Sequence, residues 1–116
     1  MTSKELNLKL VKAFPELETV YHEQTEWQEG DETGSHVVYE DVFVPALLDL
    51  IKSKDYCKAK TYFDFVEVLL EEGDDYAIDV MTVSVIESVA FDDVDENETS
   101  KLLGAKSLKI WEEYKR

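Results

Sequence analysis

The chain has 116 residues, 44% of them hydrophobic and 11% aromatic, with 27 acidic against 12 basic side chains and a formal net charge of −15. That length supports one core and excludes two, and the apolar content excludes a disordered acidic tail. The charge sets nucleic acid and anionic membrane aside as partners.

Ser3 is a candidate N-cap for a first helix over Lys4 to Ala13, where Leu6, Leu10, Ala13 and Phe14 recur at helical spacing. Pro15 suits the first position of a second helix, with Glu16 and Glu18 in its first turn and Leu17, Val20, Tyr21, Gln24 and Trp27 forming one stripe. The run Gly30 to Ser35 reads as a loop. Ser35 is placed to cap a third helix carrying Val38, Tyr39, Val42 and Phe43; its β-branched content also permits a strand, but alternation fails at Glu40-Asp41. Pro45 either kinks this helix or begins the next, which carries Ala46, Leu47, Leu50 and Ile51. Lys52 to Asp55 form a turn.

A long helix follows from about Tyr56 to Glu72, presenting Ala59, Tyr62, Phe63, Val66, Leu69 and Leu70, with Gly73 at its C-terminal cap. Asp74 and Asp75 are placed to cap the next helix, Tyr76 to about Ala90. Apolar residues surround that helix on almost every side, which predicts the central buried element. Asp92 to Thr99 is an acidic loop, a short helix spans Glu98 to Leu103 and stops at Gly104, and a last helix, Lys106 to Tyr114, docks through Leu108, Ile110, Trp111 and Tyr114. The expectation is an all-α, single-domain bundle or curved array of about six to seven helices over residues 1–116.

No run approaches the roughly 18 to 20 apolar residues of a membrane span, and MTSKELNLKLVKAF lacks the pattern of a secretory signal, so a cytoplasmic protein is expected. The lone Cys57 cannot form an internal disulfide, in keeping with a reducing compartment, where the Asn97-Glu98-Thr99 sequon carries no meaning.

No pattern amounts to a catalytic, metal or cofactor site. Asp93, Asp95 and Asn97 begin a calcium-loop spacing, but Glu98 stands where glycine belongs and Gly104 where the bidentate glutamate belongs. Glu23, Glu26 and Glu29 with Glu72 and Asp75 lack the Glu-x-x-His pairing of a di-iron helix bundle, since Thr19 and Thr33 precede His22 and His36 by three. Cys57 has no recognisable nucleophile motif, and no glycine-rich phosphate loop occurs.

Charge distribution says more. Thr61 to Ser100 holds 13 acids and no Lys or Arg, and Ala13 to Ile51 holds 10 acids and again none. Such a surface steers a basic partner. On the long helix, Tyr62, Phe63 and Phe65 cover more than one side. Tyr62 and Phe65 with Asp64, Glu67, Glu71, Glu72, Asp74 and Asp75 are therefore the candidate partner-binding set, aromatic anchors among acids.

The segments HVVYEDVFVPALLDLI, FDFVEVLLEEGDDYAIDVMTVSVIESV and LLGAKSLKIWEEY together resemble a family of small acidic bacterial proteins of unknown biochemical role, over roughly the C-terminal two-thirds of the chain. Proteins of this kind resemble the immunity proteins that neutralise antibacterial toxins, many of them basic nucleases. The resemblance implies a non-enzymatic, antitoxin-like protein that covers a basic toxin's active site or substrate groove. A structural or scaffolding module, monomeric or homodimeric, is the alternative, and a divalent-cation enzyme comes third.

Overall fold

Seven helices and no strand make up the computed structural model, which describes residues 1–116. Helix α1, Ser3–Ala13, is started by Thr2 and not by Ser3: Thr2 Oγ1 accepts the Glu5 N–H at 3.1 Å while the Glu5 carboxylate accepts the Thr2 N–H at 3.1 Å. This reciprocal pair satisfies two of the free donors at a helix start, and Ser3 in that position would face Leu6, which has no acceptor to return. Ser3 instead sits 2.8 Å from the Tyr76 hydroxyl.

A tight 3-10 turn, Pro15–Leu17, leads into α2, Glu18–Thr25. Leu17, Tyr21 and Thr25 are its buried residues, whereas Val20 is 39% exposed and Trp27 72% exposed. The expected stripe is therefore split along its length. The helix rolls towards Thr25, whose hydroxyl can be buried because it donates to the Tyr21 carbonyl at 2.8 Å, and it ends before Trp27. A second 3-10 turn, Gly30–Glu32, follows, with Gly30 in the left-handed region at φ 58°.

Helix α3 runs without a break over 35–52, and its N-cap is Gly34; Ser35 lies inside the first turn, where its buried hydroxyl donates to Asn7 Oδ1 at 2.8 Å. The helix opens into a wide π turn at Tyr39–Phe43, closed by a bond from the Val44 N–H to the Tyr39 carbonyl five residues back. Pro45 follows directly in Val44–Lys52. In a plain α-helix its ring would press on the carbonyl four residues earlier and leave it unbonded, so the wider turn lets proline sit inside a continuous helix, neither ending it nor starting another.

Helix α4, Tyr56–Glu72, is capped by the Asp55 carboxylate and ends at Gly73 in extended backbone. A Cβ at Gly73 would stand 2.4 Å from the Leu69 carbonyl oxygen and 2.8 Å from Ala77 Cβ, so glycine allows the close turn into the next helix. That helix, α5 over 75–90, is started by Asp74, which accepts the Ala77 N–H at 3.1 Å, and it contains a second π turn at Val80–Ile86. Helix α6 is Glu96–Ser100, two residues earlier than expected because Asp95 caps it through the Glu98 N–H at 3.0 Å. Helix α7 is Ala105–Tyr114.

The π turn of α5 packs on that of α3, and α5 also touches α4 and α7, so α5 is the central element. Twenty-seven buried apolar side chains form one cluster. At its heart the rings of Phe14, Phe43 and Tyr62 lie 4.1 to 5.7 Å apart. The radius of gyration of 13.3 Å is that of a closed globule of this length, about 13 Å, so the helices form a bundle and not an open curved array.

Candidate functional site

The eight residues expected to bind a partner fall into three groups. Tyr62 is 1% exposed, and its hydroxyl donates to Glu16 Oε2 at 3.1 Å, so it is a core residue with no face for a partner. Burial, then the hydrogen bond to Glu16, pushes its pKa up. Glu67 is committed within the fold: its carboxylate accepts the N–H of Lys106 at 2.9 Å, the N–H of Ser107 at 3.0 Å and the Ser107 hydroxyl at 2.8 Å, closing the free N-terminus of α7. Asp74 caps α5 and pairs with the Met1 amino group, and Asp64 pairs with Lys60 one turn away at 2.8 Å. Glu71, Glu72 and Asp75 are exposed and carry no ion pair, and Phe65 is half-buried against Phe14.

Capping by Glu67 has a pH signature. Burial raises the pKa of this carboxyl, but the backbone N–H groups of Ser107 and Lys106 and the Ser107 hydroxyl outweigh it, holding the group below its ordinary 4.5. A folded-state pKa that is depressed means the stabilisation is complete above the unfolded value and is lost as pH falls through the folded one. Glu67→Gln is expected to lose about 1 kcal/mol at neutral pH and to close on wild type as the pH falls through the depressed folded-state pKa of Glu67, measured by urea unfolding at neutral and at acid pH. A deficit that stays the same at low pH would sink the assignment.

A different set of acids stands free along α2 and the turn after it. Eight ion pairs engage acids anywhere in the chain, and only Glu16 with Lys58 and Glu18 with His22 fall between Ala13 and Ile51. Glu23, Glu26, Glu29 and Glu32 are all exposed and unpaired, and Trp27, among them in the chain, is the most exposed large apolar side chain of the molecule at 72%. Val20, two turns before Trp27 on α2, is also exposed. The segment just after the Trp27 turn is tied down. Tyr21 donates to Asp31 at 2.7 Å, Thr33 donates to the Gly30 carbonyl at 2.7 Å, and Asn7 of α1 donates to the carbonyls of Asp31 at 3.0 Å and Thr33 at 2.7 Å. An exposed indole among carboxylates has the chemistry to stack a cationic side chain and to bury apolar area.

Phe91, 69% exposed, is the other bare aromatic, but it rests edge-on against Tyr114 at 5.8 Å. His36 joins α3 to α5: its Nδ1 lies 2.6 Å from Ser84 Oγ and its Nε2 lies 3.1 Å from Asp79. Ser84 is 1% exposed inside a helix whose neighbouring N–H groups are spent on the helix itself, so it offers neither an accessible nucleophile nor an oxyanion hole. Cys57 is exposed, and no three His, Cys, Asp or Glu side chains come close enough to hold a metal ion.

Two grooves flank α4. One, of about 370 Å³, runs between α4, α5 and α7 over Leu70, Ile78 and Ile110 with Lys106 and Lys109 on its rim. The other, of about 390 Å³, lies between α1 and α4 over Ala13, Phe65, Val68 and Leu69, with Lys9 and Lys12 as its α1 wall. None of these four lysines has an ion-pair partner. The Phe65 side thus does border a groove, but one walled by lysines and not by acids.

No helix is long and apolar enough to cross a membrane. No curated protein and no solved structure matches the chain. Residues 7–116 match one family, and the match takes in every feature described above except the first turn of α1 and its cap. The chain belongs to that family, a domain of unknown function (DUF7674).

Proposed function

We propose that this chain is a protein-binding domain, antitoxin-like or immunity-like in its action, that captures a basic protein through the acidic face of α2 and the turn behind it. The carrying observation is Trp27, 72% exposed, with unpaired Glu23, Glu26, Glu29 and Glu32 about it in the chain. Carboxylates free of internal partners accelerate encounter with a cationic surface, and the indole then supplies the desolvated anchor. Glu71, Glu72 and Asp75 add a second group of exposed, unpaired acids on α4 and α5. For a bacterial toxin that is a basic nuclease, such a face would compete with the phosphate backbone for the same lysines and arginines.

The test is capture by the tagged protein and its variants from native cells. Wild type is expected to retain a basic partner that is released as salt rises; Trp27→Ala should weaken binding about 30-fold. Glu23→Lys with Glu26→Lys should slow association at low salt by tenfold or more, on the order seen for steered complexes. A partner held equally well by all three proteins would place the interface elsewhere.

A further inference from the structure

We infer that the groove between α1 and α4 is the docking site for the α2 face of a second copy of this chain. The groove is the most apolar of the molecule, with a floor of Phe65, Val68 and Leu69; Val68 is left 50% exposed. It continues towards Met1 and Gly73, where Glu72 is the only carboxylate lining it. Its volume of about 390 Å³ exceeds that of an indole.

Charge selects the occupant. In a chain of net charge −15, the groove wall is a pair of unpaired cations, Lys9 and Lys12, one helical turn apart on α1. They call for an apolar knob flanked by acids at the same spacing. The α2 face is such a knob: Trp27 beside Glu23 and Glu26, three residues apart and both without an ion pair. Residues three apart on a helix sit roughly 5–6 Å from one another, so the two carboxylates and the two ammonium groups match in sign and pitch. Repulsion between the two net charges is screened beyond about 8 Å at physiological salt, which leaves the local match to decide.

Knob and groove are built from different residues, those of α2 and its following turn against those of α1 and α4, so the contact is heterologous and a dimer joined by one such contact leaves one knob and one groove free. The association needs no basic partner, so its failure leaves the proposed toxin-like partner standing. A basic partner bound at Trp27 would, in turn, block it.

Sedimentation velocity at physiological salt, across a concentration range of about 10 µM to 1 mM suited to a small contact, tests this with the protein itself. Wild type is expected to show a weight-average sedimentation coefficient that rises with concentration. Trp27→Ala alone and Lys9→Glu with Lys12→Glu alone should each stay monomeric, with circular dichroism confirming the fold. Mixed in equal amounts, the first supplies an intact groove and the second an intact knob, so the mixture should form a dimer that grows no further. Wild type that stays monomeric throughout, association that survives in either variant, or a mixture that stays monomeric would each overturn the assignment of a second copy to this groove.

Discussion

Phe43→Ala is expected to cost about 4 kcal/mol of unfolding free energy, in the range of large-to-small changes at fully enclosed aromatic sites. Phe43 is 0% exposed and stands 5.7 Å from Phe14, 5.6 Å from Tyr39, 5.1 Å from Tyr62 and 5.9 Å from Phe65, ring centre to ring centre. Its removal takes transfer energy from one ring and packing from four others. It also lies in the wide turn of α3 that contacts its counterpart in α5, where two continuous helices meet and neither can slide to fill the gap. In a domain of this size the loss lowers the melting temperature by roughly 15 °C, read by circular dichroism. A cost under about 1 kcal/mol would mean that the aromatic cluster collapses freely into the space.

Asn7→Leu is the polar counterpart, with an expected cost of about 3 kcal/mol despite similar volume and greater hydrophobicity. Asn7 is 0% exposed, and its side chain serves three groups at once: the carbonyls of Asp31 and Thr33 and the Ser35 hydroxyl. Leucine would leave the buried Thr33 carbonyl without this donor, the part-buried Asp31 carbonyl short of one, and Ser35 with the Ser3 carbonyl at 3.2 Å alone, and an unmade buried hydrogen bond costs more than a made one contributes. The same bonds hold the segment from Asp31 to Ser35, which follows the Trp27 turn, against α1. Native-state hydrogen exchange should therefore show faster opening of residues 26–34 in the variant, beyond its global loss of stability. Unchanged protection of that turn would show that the network does not hold it.

Much of the fold is legible in the sequence because α4 obeys the helical period throughout. Ala59, Tyr62, Phe63, Val66, Leu69 and Leu70 are all buried, and Asp55, Gly73 and Asp74 mark its ends and the next start as their chemistry dictates. Caps between competing neighbours were harder. Thr2 and Ser3, or Gly34 and Ser35, each place a suitable residue at two adjacent positions, and tertiary bonds to Tyr76 and Asn7 decide which enters the helix. The surface was least legible. Trp27 sits at helical spacing from Val20 and Gln24, which places it in the stripe of α2, but the helix ends at Thr25 and leaves it exposed in the turn beyond. The one available signal was Thr25 itself, at four-residue spacing from Leu17 and Tyr21, a polar residue whose hydroxyl can satisfy itself on its own helix. Glu67 misleads in the opposite sense, as an acid on an acidic helix whose role depends on Lys106 and Ser107, 39 and 40 residues away.

The two wide turns leave a beat in the sequence. Tyr39, Phe43, Leu47 and Ile51 are buried at every fourth position of α3, and Ala77, Met81, Val85 and Val89 at every fourth position of α5. On a uniform α-helix each step of four overshoots a full revolution by about 40°, so a ladder of four rungs would wander about 120° around the axis and carry its last rung off the core. A turn closed five residues back holds more residues per revolution and takes up that overshoot. The wide turns thereby cut the drift of the ladders in α3 and α5 and keep more of their rungs on the core side, while α4, with no such turn, keeps its buried residues in line by alternating threes and fours.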